Sequence, residues 1–125
     1  MDRTINIDGK DVKFRATART PRLYRGIIGR DMIQDMNQLR RAYNKAVEAK
    51  DKGEIDEEAQ LSMIDLEIFE NAAYIMARHA SPDTIEQTPD EWLDGFNMFS
   101  IYQVLPELLK LWAMNEATTS VSKKK

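Results

Sequence analysis

A mainly α-helical bundle that opens with a β-hairpin is the fold class predicted for this chain of 125 residues. Three observations lead there. The opening segment alternates apolar and polar residues about a turn signal. The rest places apolar residues at intervals of three and four, the spacing of one helix face. Capping residues followed by proline or glycine punctuate those stretches at the points where helices start and stop. Together they predict one domain over residues 1–117, with the hairpin at 4–17 and the helices within 21–116, followed by a flexible polar tail at 118–125.

The segment TINIDGKDVKFRATA puts Ile5 and Ile7 before Asp8-Gly9 and Val12, Phe14 and Ala16 after it at period two. That is a β-hairpin with one apolar face. Such a ribbon is marginal in water by itself, so it must lie against helices or another sheet. Thr20 followed by Pro21 reads as an N-cap with proline at the first helical position, opening a short helix to about Ile28. Gly29 suits a left-handed C-cap, and Asp31 can cap the helix that follows. The second helix shows a stripe at Met32, Met36, Leu39, Tyr43 and Val47 and ends near KDKGEID.

DEEAQLSMIDLEIFENAAYIMARHA carries the densest apolar pattern in the chain, predicting a helix from about Asp56 to Ala80. Asp56, Glu57 and Glu58 suit its positive end, and Arg78 and His79 its negative end. Leu61, Ile64, Ile68, Ala72 and Ile75 form one stripe; Leu66, Phe69, Ala73 and Met76 form another. Glu67, Glu70, Asn71, Tyr74 and Arg78 form the polar strip that remains. A helix apolar over so much of its girth is expected at the centre of its domain. Beyond the loop SPDTIEQ, Thr88, Pro89 and Glu91 specify a capped start, and Gly95 ends that short turn. Pro106 predicts a break near Val104 or a new helix with the proline in its first turn, carrying Leu105, Leu108, Leu109 and Trp112 inward.

Composition narrows the function classes. No charged-then-apolar leader opens the chain and no apolar run is long enough to span a bilayer, which predicts a cytosolic protein without membrane contact. Cysteine is absent, which removes disulfides and thiolate chemistry. Charge is segregated. Residues 1–50 hold twelve Lys or Arg against six Asp or Glu, residues 51–117 hold three against fifteen, and Lys123, Lys124 and Lys125 bring the net charge to −3. The two halves can pair within one molecule or between copies, so self-association stands as an alternative to internal pairing.

Catalytic signatures are not found in the sequence. The single histidine, His79, reads as a favourable charge at a helix C-terminus, and one imidazole does not make a triad or a multi-histidine metal site. Glu67 and Glu70 share a helix face without the Glu-x-x-His partners of a di-iron bundle, and read as a solvated strip. Gly26 and Gly29 lack the lysine of a phosphate loop and read as shaping a helix junction. The series Arg15, Arg19, Arg22, Arg25 and Arg30 fits contact with an acidic protein surface or, as an alternative, a small nucleic-acid-binding regulator. The expectation is therefore a non-enzymatic protein that needs no cofactor or metal.

The stretch FENAAYIMARHASPDTIEQTPDEWLDGFNMFSIYQVLPELLKLW, residues 69–112, resembles the tail assembly chaperones of long-tailed phages and prophages of Gram-positive bacteria. TPDEWLDGF and MFSIYQVLPELLKLW are its most distinctive parts, and FRATARTPRLYRGIIGRDMIQDM is similar to the same family. The resemblance covers most of the chain and is least specific between Asn44 and Gln60. It implies a factor that binds the tape measure protein, keeps it soluble, and helps recruit the major tail protein around it. Such a factor acts in the cytoplasm of the bacterial host and is absent from the mature virion.

The family also implies a longer product made by ribosomal frameshifting. Lys123, Lys124 and Lys125 fit an adenine-rich slippery run, with TTSVS as linker to the extension. Trp92 and Phe96, with Arg22 and Arg25, are the expected partner-binding residues. The competing reading within virion biology is a structural head–tail or tail component, which the helical pattern disfavours relative to β-rich tube subunits.

Overall fold

A computed structural model describes residues 1–51 and 61–123, with side chains described as far as Met114. Strands β1 (Asp2–Ile7) and β2 (Lys10–Arg15) pair antiparallel, with Ile5 opposite Val12 and Ile7 opposite Lys10. Five helices follow: α1 (Thr20–Ile28), α2 (Met32–Asp51), α3 (Met63–Ala80), α4 (Pro89–Leu93) and α5 (Leu105–Lys123). A 3₁₀ turn over Ile101–Val104 leads into α5. The fold is mainly α with an N-terminal hairpin, as the sequence pattern predicts. Among the described residues no helix is long and apolar enough to cross a membrane.

The hairpin turn has Asp8 and Gly9 both at positive φ, 55° and 80°. That is the two-residue geometry whose twist matches the flanking strands, and Asp-Gly is suited to it. Phe14, Ala16 and Ile7 are buried, while Ile5 and Val12 pack at the margin of the core. The ribbon lies on α3 through β2. Its tip is held as well: the Asp8 carboxylate accepts hydrogen bonds from the Asn97 backbone N–H at 2.8 Å, the Asn97 amide at 3.1 Å and the Ser100 hydroxyl. Those bonds, Ser100's first, hold the Asp8 carboxyl below its ordinary value.

Helix α3 is central. It packs against β2, α1, α2 and α4, and residues Ala72 to Ala77 are buried in an unbroken run. Covering a helix on every side is the only way to shelter such a run from water. The helix begins later than the apolar pattern predicts. Ser62 is its N-cap, accepting from Asp65 N–H at 3.1 Å while the Asp65 carboxylate accepts from Ser62 N–H at 3.0 Å, a reciprocal box that satisfies two otherwise orphaned donors. Asp56, Glu57 and Glu58, expected at this helix's positive end, lie outside the described residues.

Two assignments within the helices change. Thr20 does not cap α1: its hydroxyl is buried and accepts from the Thr17 backbone N–H at 2.8 Å, and Arg19 occupies the cap position without a side-chain bond. Tyr74, expected on a polar strip, is 0% exposed. Its ring packs at 5.9 Å from Trp92 while its hydroxyl donates to the Glu86 carbonyl at 2.6 Å and accepts from Arg78 at 3.0 Å. An amphipathic ring can point its one polar atom at a loop carbonyl and still serve as core.

Other stop and start signals act as written. Gly29 is left-handed at φ 83° and its N–H bonds to the Arg25 carbonyl at 3.0 Å. Asp31 Oδ1 accepts from the N–H groups of Ile33 and Gln34, capping α2. In α2 the apolar stripe is buried at Met32, Met36 and Leu39, half-buried at Tyr43 and exposed by Val47. Thr88 caps α4 by accepting from Glu91 N–H, but the Glu91 carboxylate takes the Thr88 hydroxyl proton rather than the backbone N–H of a full box. Pro106 falls in the first turn of α5, directly after the 3₁₀ break. Leu105, Leu108, Leu109, Leu111 and Trp112 of α5 are buried. The bounds of α5 take in the backbone of residues 118–123.

One buried polar joint fixes α1 against α2. Asp35 accepts the Tyr24 phenol at 2.8 Å and a two-pronged contact from Arg30, both prongs at 2.8 Å. Arg30 first, and Tyr24 after it, hold the Asp35 carboxyl below its ordinary value against the opposing effect of burial, while burial and Asp35 push the Tyr24 phenol up. Replacing Tyr24→Phe removes a donor from a buried carboxylate and is expected to destabilise the fold by about 1–2 kcal/mol, read as a lower urea midpoint at unchanged m-value. Gly29→Ala places a Cβ in the left-handed region and should cost about 1 kcal/mol in the same measurement.

Candidate partner-binding surface

Of the residues expected to bind a partner, Trp92 and Phe96 pack against each other, while Arg22 and Arg25 lie apart on α1. Trp92 is 3% exposed and forms the middle of an aromatic cluster, edge-on to Phe14 at 6.5 Å, to Tyr74 at 5.9 Å and to Phe96 at 5.0 Å. Its ring links the hairpin, α3 and α4, so it holds the core and presents no groove wall. Phe96 is half-buried against it. Arg22 and Arg25 are exposed on α1. The longer arginine series divides: Arg15 pairs with Asp2 and Arg30 with Asp35, while Arg22 and Arg25 are exposed along α1 and Arg19 is exposed at its N-cap. Lys124 and Lys125 lie outside the described residues, as does the side chain of Lys123.

The exposed apolar residues lie elsewhere. Met63 and Ile64, in the first turn of α3, are 87% and 60% exposed. Ile64 is expected to face the core; it stands instead in the first turn of α3, directly after the Ser62 cap. Met98 and Phe99, in the loop before the 3₁₀ turn, are also exposed. Met63 opens onto a shallow cleft of about 430 Å³ between α3 and α4, floored by Leu66, Pro89 and Leu93 and bordered by Glu67, Glu70 and Asp90. Glu70 also accepts the Tyr102 phenol at 2.7 Å, so it is a fixed wall of the cleft rather than a solvated strip.

A second cavity of about 260 Å³ lies between α1 and the C-terminal end of α3, lined by Arg19, Leu23 and Ile27 on one side and by Ile75, Arg78, His79 and Pro82 on the other. The surroundings of His79 oppose a charge on its ring. Burial first, then the nearby Arg15 and Arg19 guanidiniums, hold its pKa below the ordinary 6.5. Its Nδ1 lies 3.2 Å from the Thr20 hydroxyl, whose oxygen already accepts from Thr17. Which of the two groups donates follows from the ring tautomer, since a hydroxyl can both donate and accept.

The cleft was missed in the sequence because Met63 and Ile64 were read as interior turns of a longer helix. The signal that marks them is Ser62-x-x-Asp65, a capping pattern that puts the first turn at Met63 and lies within LSMID. No protein-family model, curated protein or solved structure matches this chain.

The depressed pKa of His79 gives a pH dependence of definite sign. Between its folded value and 6.5 the unfolded chain binds the proton that the folded chain refuses. Stability is therefore full above that window and falls as pH is lowered through it. Urea midpoints compared near neutrality and about one unit below the ordinary histidine pKa should drop more for the native chain than for His79→Gln.

Proposed function

We infer that this protein is a tail assembly chaperone of a long-tailed phage or prophage, a non-enzymatic factor that binds helical segments of the tape measure protein and keeps them soluble. The observation that carries the reading is the α3–α4 cleft, where exposed Met63, with exposed Ile64 next to it in the same helical turn, opens onto an apolar floor bordered by Glu67, Glu70 and Asp90. Helical segments are recognised by grooves that take their apolar face, and basic residues flanking that face complement an acidic border. Methionine suits a site that must accept many related segments, because its unbranched thioether adapts to different shapes.

The resemblance of residues 69–112 supplies the identity of the partner, and the cleft supplies a surface of the chemistry that partner requires. In this reading the protein acts in the host cytoplasm, promotes assembly of the major tail protein around the tape, and is left out of the virion. A longer form arises by frameshifting near the codons of Lys123, Lys124 and Lys125; a gene without an adenine-rich run and overlapping frame at that point would remove this part.

Co-expression with the tape measure protein tests the reading. The tape protein is expected to be soluble and to co-purify only when this chain or its longer form is present; equal solubility alone, with nothing co-purified, refutes it. Met63→Asp combined with Ile64→Asp should abolish co-purification. Both positions are exposed in a first helical turn where aspartate is favourable, so the variant is expected to remain folded, as circular dichroism would show.

A further inference from the structure

The cavity between α1 and α3 joins features that the α3–α4 cleft does not. Arg19, Arg78 and His79 line a space whose remaining described walls are aliphatic. Arg78 is held by bonds from its Nη1 to the Tyr74 hydroxyl at 3.0 Å and the Gln87 carbonyl at 3.1 Å, neutral partners that supply no countercharge. Arg19 forms no ion pair among the described residues, and its side chain is exposed. Among the described residues, none that line the cavity is a carboxylate. α1 begins beside Arg19, so its positive end offsets the negative end of α3 where Arg78 and His79 stand.

Leu23, Ile27, Ile75 and Pro82 bound a volume of about 260 Å³. That is below the range of most small-molecule and cofactor sites, and of a size for one or two side chains. We propose that this cavity binds a carboxylate carried beside an aliphatic side chain, presented by an acidic, leucine-rich segment of a partner protein. Arg19 and Arg78 hydrogen-bond the carboxylate, the aliphatic walls take the neighbouring side chain, and the His79 ring borders the same space. The assignment rests on the partner-binding reading only in drawing the ligand from a protein. It concerns a different face and the opposite charge from the α3–α4 cleft, so the two surfaces take different segments.

His79 is the sole histidine, so its imidazole signals in an NMR spectrum of the full chain need no assignment. The groups that set its titration are Arg15 from β2, Arg19 from α1, and Asp2 and the Met1 amino group from the N-terminal strand. A bound carboxylate opposes the two arginines and shifts the His79 titration upward. The probe is a capped tripeptide with glutamate between two leucines, compared with its glutamine counterpart, with hexanoate and with inorganic phosphate.

The glutamate peptide is expected to shift the imidazole signals saturably. The glutamine peptide, or Arg19→Ala in the protein, should weaken binding about tenfold, the scale of one charge-assisted hydrogen bond. Arg41→Ala, an exposed arginine of α2 outside the cavity, should leave it unchanged. Equal binding of the glutamine peptide or of phosphate, binding of hexanoate without the peptide, or no shift with any probe overturns the proposal. Peptide binding in a protein that fails the co-expression test leaves this site standing and removes the chaperone reading; the reverse result removes the site alone.

Discussion

The unbroken burial of α3 from Ala72 to Ala77 is the constraint around which the rest of the molecule is arranged. An amphipathic helix needs one neighbour; a helix buried around its circumference needs several, and here β2, α1, α2 and α4 each take a share. Ala72, Ala73 and Ala77 keep part of the surface low enough for close approach, while Phe69, Tyr74 and Met76 fill the spaces between the surrounding elements. The hairpin, too small to be stable alone, gains its stability from lying on this helix.

Polar groups fix how these neighbours sit. Apolar burial is non-directional, so it permits many arrangements of similar energy. The joints at Asp35, Tyr74 and Asp8 reduce that freedom because each satisfies its bonds in one geometry. Asp35 orients α1 against α2, the Tyr74 hydroxyl ties the loop after α3 to its side, and Asp8 clips the hairpin tip to the residues before the 3₁₀ turn. Once these pairs are made, the charge segregated along the sequence becomes charge segregated in space. Arginines of α1 remain on one surface, and carboxylates of α3 and α4 border another.

The elements were legible where a local signal acts locally. Asp8-Gly9 turns the hairpin, Gly29 ends α1, Asp31 starts α2, Thr88 starts α4, and Pro106 enters a first turn, all through bonds within a few residues of the signal. The failures share a different cause. Thr20 was read as a cap, yet its hydroxyl reaches Thr17 and His79, the latter 59 positions away. Trp92 is expected among the partner-binding residues and is buried instead, because four-residue spacing with Phe96 on a short helix says nothing of which side faces Phe14 and Tyr74. His79 was read as a helpful charge because the helix end is visible in the sequence and the arginines brought beside it are not.

The sequence by itself determined the class of fold, the order of its elements and the central place of α3, because periodicity and capping are properties of neighbouring residues and the hydrophobic content of one helix dictates how many faces must be covered. The tertiary structure alone decided the surfaces. Whether Met63 is core or exposed depends on where a helix begins relative to its neighbours. Whether Arg19 meets a carboxylate or an open cavity depends on what α3 and the following loop bring to it. Those are questions of juxtaposition between residues far apart in the chain, and no spacing along one segment encodes them.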